Sequence, residues 1–217
     1  MSIKRVYFFI LCLTVLTLNV VAASGIHIGF LQGYVNSTVN FSPALPAPVE
    51  VFQIGRIQGG LFLSLPLGEY FSIQPELNYT QKGMSARMPD YEERWNCDFL
   101  EIPLLLRIHP LSFKDKCKLS LFAGPYAAFR LSINQVVNGT ENKGRLSDTL
   151  RSLDLGVTTG VSLGIKSGSG LLHFEVRYSH GFTNLLKDAD AIGFPSSSTF
   201  KLRSMSFLFG YSLPLGK

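Results

Sequence analysis

The segment LLHFEVRYSHGFTN, Leu171 to Asn184, decides the fold. Leu172, Phe174, Val176, Tyr178 and Phe182 hold its even positions, broken only by His180. His173, Glu175, Arg177, Ser179, Gly181 and Thr183 hold the odd ones. Successive side chains of a strand point to opposite faces, so this reads as a strand with one oily wall and one charged wall. A carboxylate and a guanidinium share the charged wall. Which wall faces inward determines the class of protein.

The same alternation recurs in seven further segments, near residues 26–35, 54–65, 70–81, 98–109, 118–134, 152–166 and 200–213. In 152–166, Leu153, Leu155, Val157, Val161, Leu163 and Ile165 oppose Asp154, Gly156, Thr158, Gly160, Ser162 and Gly164. No helical period of comparable strength competes. Long connections are expected at 36–53, 82–97, 135–151 and 185–199, and short ones at 66–69, 110–117 and 166–170. Pro66-Leu67-Gly68 and Ser167-Gly168-Ser169-Gly170 supply turn chemistry at two of the short ones. Long connections at one end, short ones at the other and an even strand number predict an all-β fold. Its form is an eight-stranded antiparallel up-and-down transmembrane β-barrel in the cell outer membrane.

Composition agrees with that class. Charged residues are 16% of the chain, below the roughly 25% usual in soluble domains. Gly (20) and Phe (17) are abundant and mean hydropathy is +0.22. The net charge of +5 comes from scattered basic residues, which excludes a nucleic-acid surface. Lys4 and Arg5, an apolar run over 6–18 and small Ala22-Ala23-Ser24 read as an export signal. Residues 1–23 are therefore expected to be a cleaved signal peptide and 24–217 the barrel domain. Cys97 and Cys117 fall near opposite barrel ends, so they are expected to stay unpaired.

An oily face this continuous exceeds what an eight-stranded interior holds, and the Gly and Ser of the other face suit a narrow lumen. The oily face is therefore read as lipid-facing. The lumen then receives Arg56, Glu76, Glu101, Arg107, Arg130, Asp154, Glu175 and Arg177, with His27 and His173. That is four carboxylates against four guanidiniums and no Lys. Unpaired charge in a tight lumen is costly, so a salt-bridged filling is expected.

No catalytic constellation, metal signature or cofactor motif stands out, and the protein is read as non-catalytic. His180 interrupts the lipid-facing stripe between Tyr178 and Phe182 and carries the alternative of a lipid-modifying enzyme. A narrow porin-like channel is the other alternative. Tyr91 and Trp95, among mixed charges, make the 83–95 connection the best candidate for contact with a partner.

Four motifs carry a family resemblance. Ser72-Ile73-Gln74-Pro75-Glu76-Leu77-Asn78-Tyr79 is followed by Lys82-Gly83; then come the 99–107 stretch FLEIPLLLR, Phe122-Ala123-Gly124-Pro125-Tyr126, and the 175–184 stretch EVRYSHGFTN. In this order they resemble the PorT-type outer-membrane β-barrel proteins of Bacteroidetes. The resemblance implies Gram-negative export, insertion by the barrel assembly machinery and surroundings of outer-membrane lipid and lipopolysaccharide. It also implies action through structure or extracellular loops, as a secretion accessory or in binding surface partners. The chain departs from the pattern at its end, where Tyr211 or Leu213 takes the place of a terminal aromatic. Asp148-Thr149-Leu150 looks like a Bacteroidetes O-glycosylation acceptor.

Overall fold

The computed structural model describes residues 25–42, 50–113, 116–143, 149–187, 195 and 197–215. The expected signal segment, 1–23, lies outside them. Ten strands form: β1 (Ile26–Ser42), β2 (Glu50–Phe52), β3 (Ile54–Leu67), β4 (Phe71–Met88) and β5 (Tyr91–Phe113), then β6 (Cys117–Val137), β7 (Thr140–Lys143), β8 (Leu153–Ser167), β9 (Gly170–Gly181) and β10 (Thr199–Leu215). Every pairing is antiparallel.

Eight of the ten close a ring, in the order β1, β3, β4, β5, β6, β8, β9, β10 and back to β1. The closing seam runs unbroken from Ile26↔Leu215 to Ser42↔Thr199. β2 and β7 lie outside the ring, pairing β4 and β6 respectively. The expected eight strands therefore correspond to the ring, and two short strands are added to it.

The expected long connection at 82–97 is corrected. β4 and β5 stay paired from Phe71↔Ile108 up to Met88↔Tyr91, leaving Pro89-Asp90 as the turn. The apolar residues of this stretch, Met84, Ala86, Trp95 and Cys97, alternate in the phase opposite to the outer stripe and face inward, so the outward stripe that marks the other strands ends before it. Beyond hydrocarbon a strand needs no outward stripe, and across the two strands Arg87 meets Glu92 at 3.5 Å, while Arg94 reaches the same carboxylate from its own strand at 3.2 Å. β5 has 23 residues, about twice the 9–11 that a bilayer crossing takes. β6 likewise turns back at Asn138-Gly139, both with positive φ (47° and 82°), into β7. Asn-Gly is the preferred pair for such a two-residue hairpin.

The faces are sorted as expected. Leu61 and Phe174 are at least half exposed, whereas Glu175 and Arg177 are 3% and 2% exposed. A β-bulge opposite Asp98/Phe99 inserts Leu131 and shifts the phase of β6, so that Ile133 turns inward above it. Cys97 is buried toward the long-loop end and Cys117 stands at the short-turn end, both as free thiols. A thiol reagent should label only Cys117 rapidly in the folded domain, with Cys97 reacting after denaturation. Equal labelling rates would contradict this placement.

Candidate functional site

The ring's interior is filled in three layers. At mid-height Arg177 of β9 lies flat between two carboxylates. Its Nη1 and Nη2 donate to the two oxygens of Glu76 at 2.6 and 2.9 Å, and its Nε donates to Glu175 at 2.9 Å. Arg107 of β5 donates to the other oxygen of Glu175. Gln74 and Asn78, two residues either side of Glu76 on the same face, complete its shell at 2.6 and 2.8 Å. Two carboxylates and two guanidiniums neutralise each other away from water, and Arg's planar fork makes the two-oxygen contact to Glu76.

Both guanidiniums also lie over the Phe122 ring, 4.7 Å for Arg107 and 5.3 Å for Arg177. Gly160 on β8 makes room for that ring: a Cβ there would sit 2.6 Å from Phe122 Cζ. Phe122 is a member of the cluster that charge counting misses. Its inward parity with Ser120 and Tyr126 was the available signal.

The other expected lumen charges join smaller groups. Glu101 accepts from Lys82 at 2.5 Å, with both side chains almost fully buried. This corrects the expectation of a Lys-free lumen. Lys82 falls where the sequence reads as a loop, yet it keeps the inward parity of Glu76 and Asn78. Asp154 accepts from the Tyr126 hydroxyl at 2.9 Å. Arg56 donates to Asn96, and Arg130 to the Leu150 carbonyl at 3.0 Å. Both Arg residues are half-buried near the long-loop end. The eight charges therefore divide: four form the central cluster, and four sit with other partners.

Above the ions lies an apolar cap that the sequence reading did not foresee. Trp95 stacks on Phe200 at 5.4 Å, and Phe41 meets Phe200 edge-on at 5.1 Å. Val39, Met84, Cys97, Phe99, Ile133 and Leu202 pack in the same cluster. Leu150, Leu185 and Leu186 reach it from the connections. Those connections are tied together, because Leu150 bridges to Leu186 and Arg151 N–H donates to the Leu185 carbonyl at 2.7 Å. Asn184, last residue of the opening segment, accepts from Phe200 N–H at 2.8 Å and pins the β9–β10 connection down.

Trp95 is thus 5% exposed and points into the cap rather than toward a partner. Tyr91 and Trp95 both donate to Glu93 of their own strand. Thr149 is 8% exposed, so the folded chain shields the expected glycosylation hydroxyl; Asp148 lies outside the described residues.

Below the ions, His109 lies within hydrogen-bond distance of Ser72 (3.0 Å) and Ser120 (2.8 Å), and His173 of Ser212 (2.8 Å). With His27 and Lys118 they line a cavity of about 50 Å³ at the short-turn end. Among the described residues, no group of three His, Cys, Asp or Glu is placed to hold a metal ion. His180 faces outward beside Tyr178 (6.4 Å) and Phe182 (5.5 Å), as part of an aromatic row. Such rows are common at membrane interfaces.

A closed ring with an oily exterior and a charged interior is matched by a family model for the outer membrane protein beta-barrel domain, over residues 16–187. The chain belongs to this family. Its location is the outer membrane. No curated protein matches the chain in sequence. In structure the barrel is similar to the outer membrane protein OprG from Pseudomonas aeruginosa, with TM-score 0.51 and 11% identity over 88% of this chain and 97% of that one. Neisserial surface protein A gives 0.47 and 14% over 88% and 98%. The outer membrane enzyme PagL gives 0.37 and 13% over 85% and 99%. Likeness at these identities is one of fold.

Proposed function

We propose that this protein is an eight-stranded transmembrane barrel that neither conducts nor catalyses. It acts structurally and through the sheet that β4, β5 and β6 extend past the membrane, in surface binding or as a secretion accessory. The observation carrying this reading is the filled interior, where a neutral ion cluster is overlain by an apolar cap around Trp95 and Phe200. Eight strands enclose only enough space for side chains, and here side chains occupy it.

In outer-membrane barrels the longer loops face the cell exterior. On this reading the extended β4–β5–β6 sheet, edged by β2 on β4 and by β7 on β6, is the exposed platform. Its solvent-facing Arg87, Glu92 and Arg94 are the groups a partner meets, in place of the inward Trp95. The four motifs support grouping the chain with PorT-type barrels of Bacteroidetes. The barrel assembly machinery and lipopolysaccharide are then its expected surroundings.

Two measurements test the reading. Planar bilayers containing the folded protein should show no steady conductance; sustained open steps at low voltage would overturn the closed lumen. A photocrosslinker at Arg94 should yield a protein adduct in cells that the same probe at lipid-facing Phe174 does not. Identical adduct patterns from both positions would sink the platform.

A further inference from the structure

We infer that the polar cavity at the short-turn end of the lumen binds one small tetrahedral oxyanion of the phosphate kind. The cavity, about 50 Å³, lies inside the ring, and each of the eight ring strands contributes to its wall. A buried water needs about 10–15 Å³ of such space, so there is room for about four water-sized groups, the oxygens of one such ion.

Two rows of the sheet shape the cavity. Ser162 of β8 stands between Ser120 of β6 and Glu175 of β9; in the row below, Gly164 of β8 stands between Lys118 of β6 and His173 of β9. The inward glycines higher on β8 give their space to aromatic rings. A Cβ on Gly156 or Gly160 would lie 2.6 Å from the ring of Tyr126 or Phe122. A Cβ on Gly164 would meet only Lys118, at 3.6 Å or more. The absent side chain at Gly164 therefore opens the cavity between Lys118 and His173.

The wall carries donors that the fold itself leaves unused. Arg107 and Ser162 are 3% and 2% exposed, and Arg107 Nε and Ser162 Oγ have no hydrogen-bond partner among the described residues. Lys118 is half-buried, and no ion pair among the described residues includes it. Glu175 does not serve it, because its two oxygens accept from Arg107 and Arg177. Taking an ammonium out of water without a countercharge is costly. Water would satisfy Arg107 Nε and Ser162 Oγ but bring Lys118 no charge. An oxyanion does both, through charge-assisted hydrogen bonds. His27 of β1 and Ser64 of β3 stand across the ring from β6 and β8, so polar groups meet the ion from opposite sides. That arrangement suits four oxygens in a tetrahedron better than a spherical halide.

The folded full chain in a detergent without phosphate tests the site, with inorganic phosphate as the probe and equilibrium dialysis as the readout. The parent should retain one phosphate per chain. Lys118→Gln should bind it at least about tenfold more weakly, as expected for losing a charge-assisted contact. Gly164→Val should abolish binding by filling the cavity while every charge stays, with the urea midpoint no lower than the parent's. Arg94→Gln, which removes an exposed charge at the opposite end, should bind like the parent. No retention by the parent, or parent-like affinity in either the Lys118 or the Gly164 variant, overturns the site. Equal loss in the Arg94 variant assigns the binding to diffuse charge and overturns it as well. Displacement of phosphate by an equal concentration of chloride overturns the oxyanion assignment. Displacement by phosphatidylglycerol overturns the assignment to a free anion in favour of a lipid headgroup.

Discussion

Replacing Arg177 with Met should lower the barrel's stability by about 3–5 kcal/mol, the range for removing one partner of a buried ion pair. The loss exceeds that of a single salt bridge because Arg177 serves both Glu76 and Glu175. Without it, Glu175 keeps Arg107, but Glu76 is left charged with only the Gln74 and Asn78 amides. Adding Glu76→Gln should recover much of the deficit, since the remaining Arg107–Glu175 pair is neutral. Arg177→Lys should not recover it, because an ammonium cannot reach two carboxylates in a plane. Urea unfolding of protein refolded into vesicles measures all three variants. A single variant that unfolds at the parent's midpoint would mean that this cluster does not hold the barrel together.

The second large effect is expected on the opposite face. Val161→Arg places a guanidinium among Leu106, Leu121, Val176 and Met205 on the outer wall, close to the middle of the oily stripe of β8. The expected cost is about 2–4 kcal/mol at the bilayer midplane, falling to about 0–1 kcal/mol near the interface. Leu153→Arg, at the upper end of the same stripe, is therefore the matched control and should insert nearly normally. Gly160→Arg is unsuited as an inward control, because its Cβ already meets the Phe122 ring. Equal insertion of the Val161 and Leu153 variants would remove the support for a lipid-facing outer wall.

Both predictions rest on features of different legibility. The outer wall was readable residue by residue, because period-two alternation is local and Val161, Val176 and Leu121 each declare their face within their own strand. The inward set was readable for the same reason, and all eight of its charges lie on strands within the expected bounds. Which Glu meets which Arg was not readable, because Glu76 and Arg177 are 101 residues apart and only ring closure brings them together. Lys82 and Trp95 were misplaced for a shared reason. Their strands continue beyond the outward oily stripe, where the apolar residues change to the inward face (Met84, Ala86, Trp95, Cys97) while the hydrogen-bond ladder persists. The apolar cap was hidden because part of it comes from Leu150, Leu185 and Leu186, in connections whose inward fold depends on Asn184 and on pairing with each other. The Leu131 bulge hid Ile133, since one inserted residue reverses the parity of everything after it.

The closed ring also limits how this molecule can meet another. Along the oily band each ring strand has a ladder partner on both sides, so the described residues there offer no backbone edge to the bilayer or to a neighbouring barrel. Among the described residues, the strands with a ladder on one side only are β2 and β7, of three and four residues, both at the end with the long connections. Edges so short template strand addition poorly, which is a common protection against unwanted association. Recognition at that end therefore falls to side chains rather than to backbone, and a partner's specificity should be rewritable by surface substitution without touching the sheet.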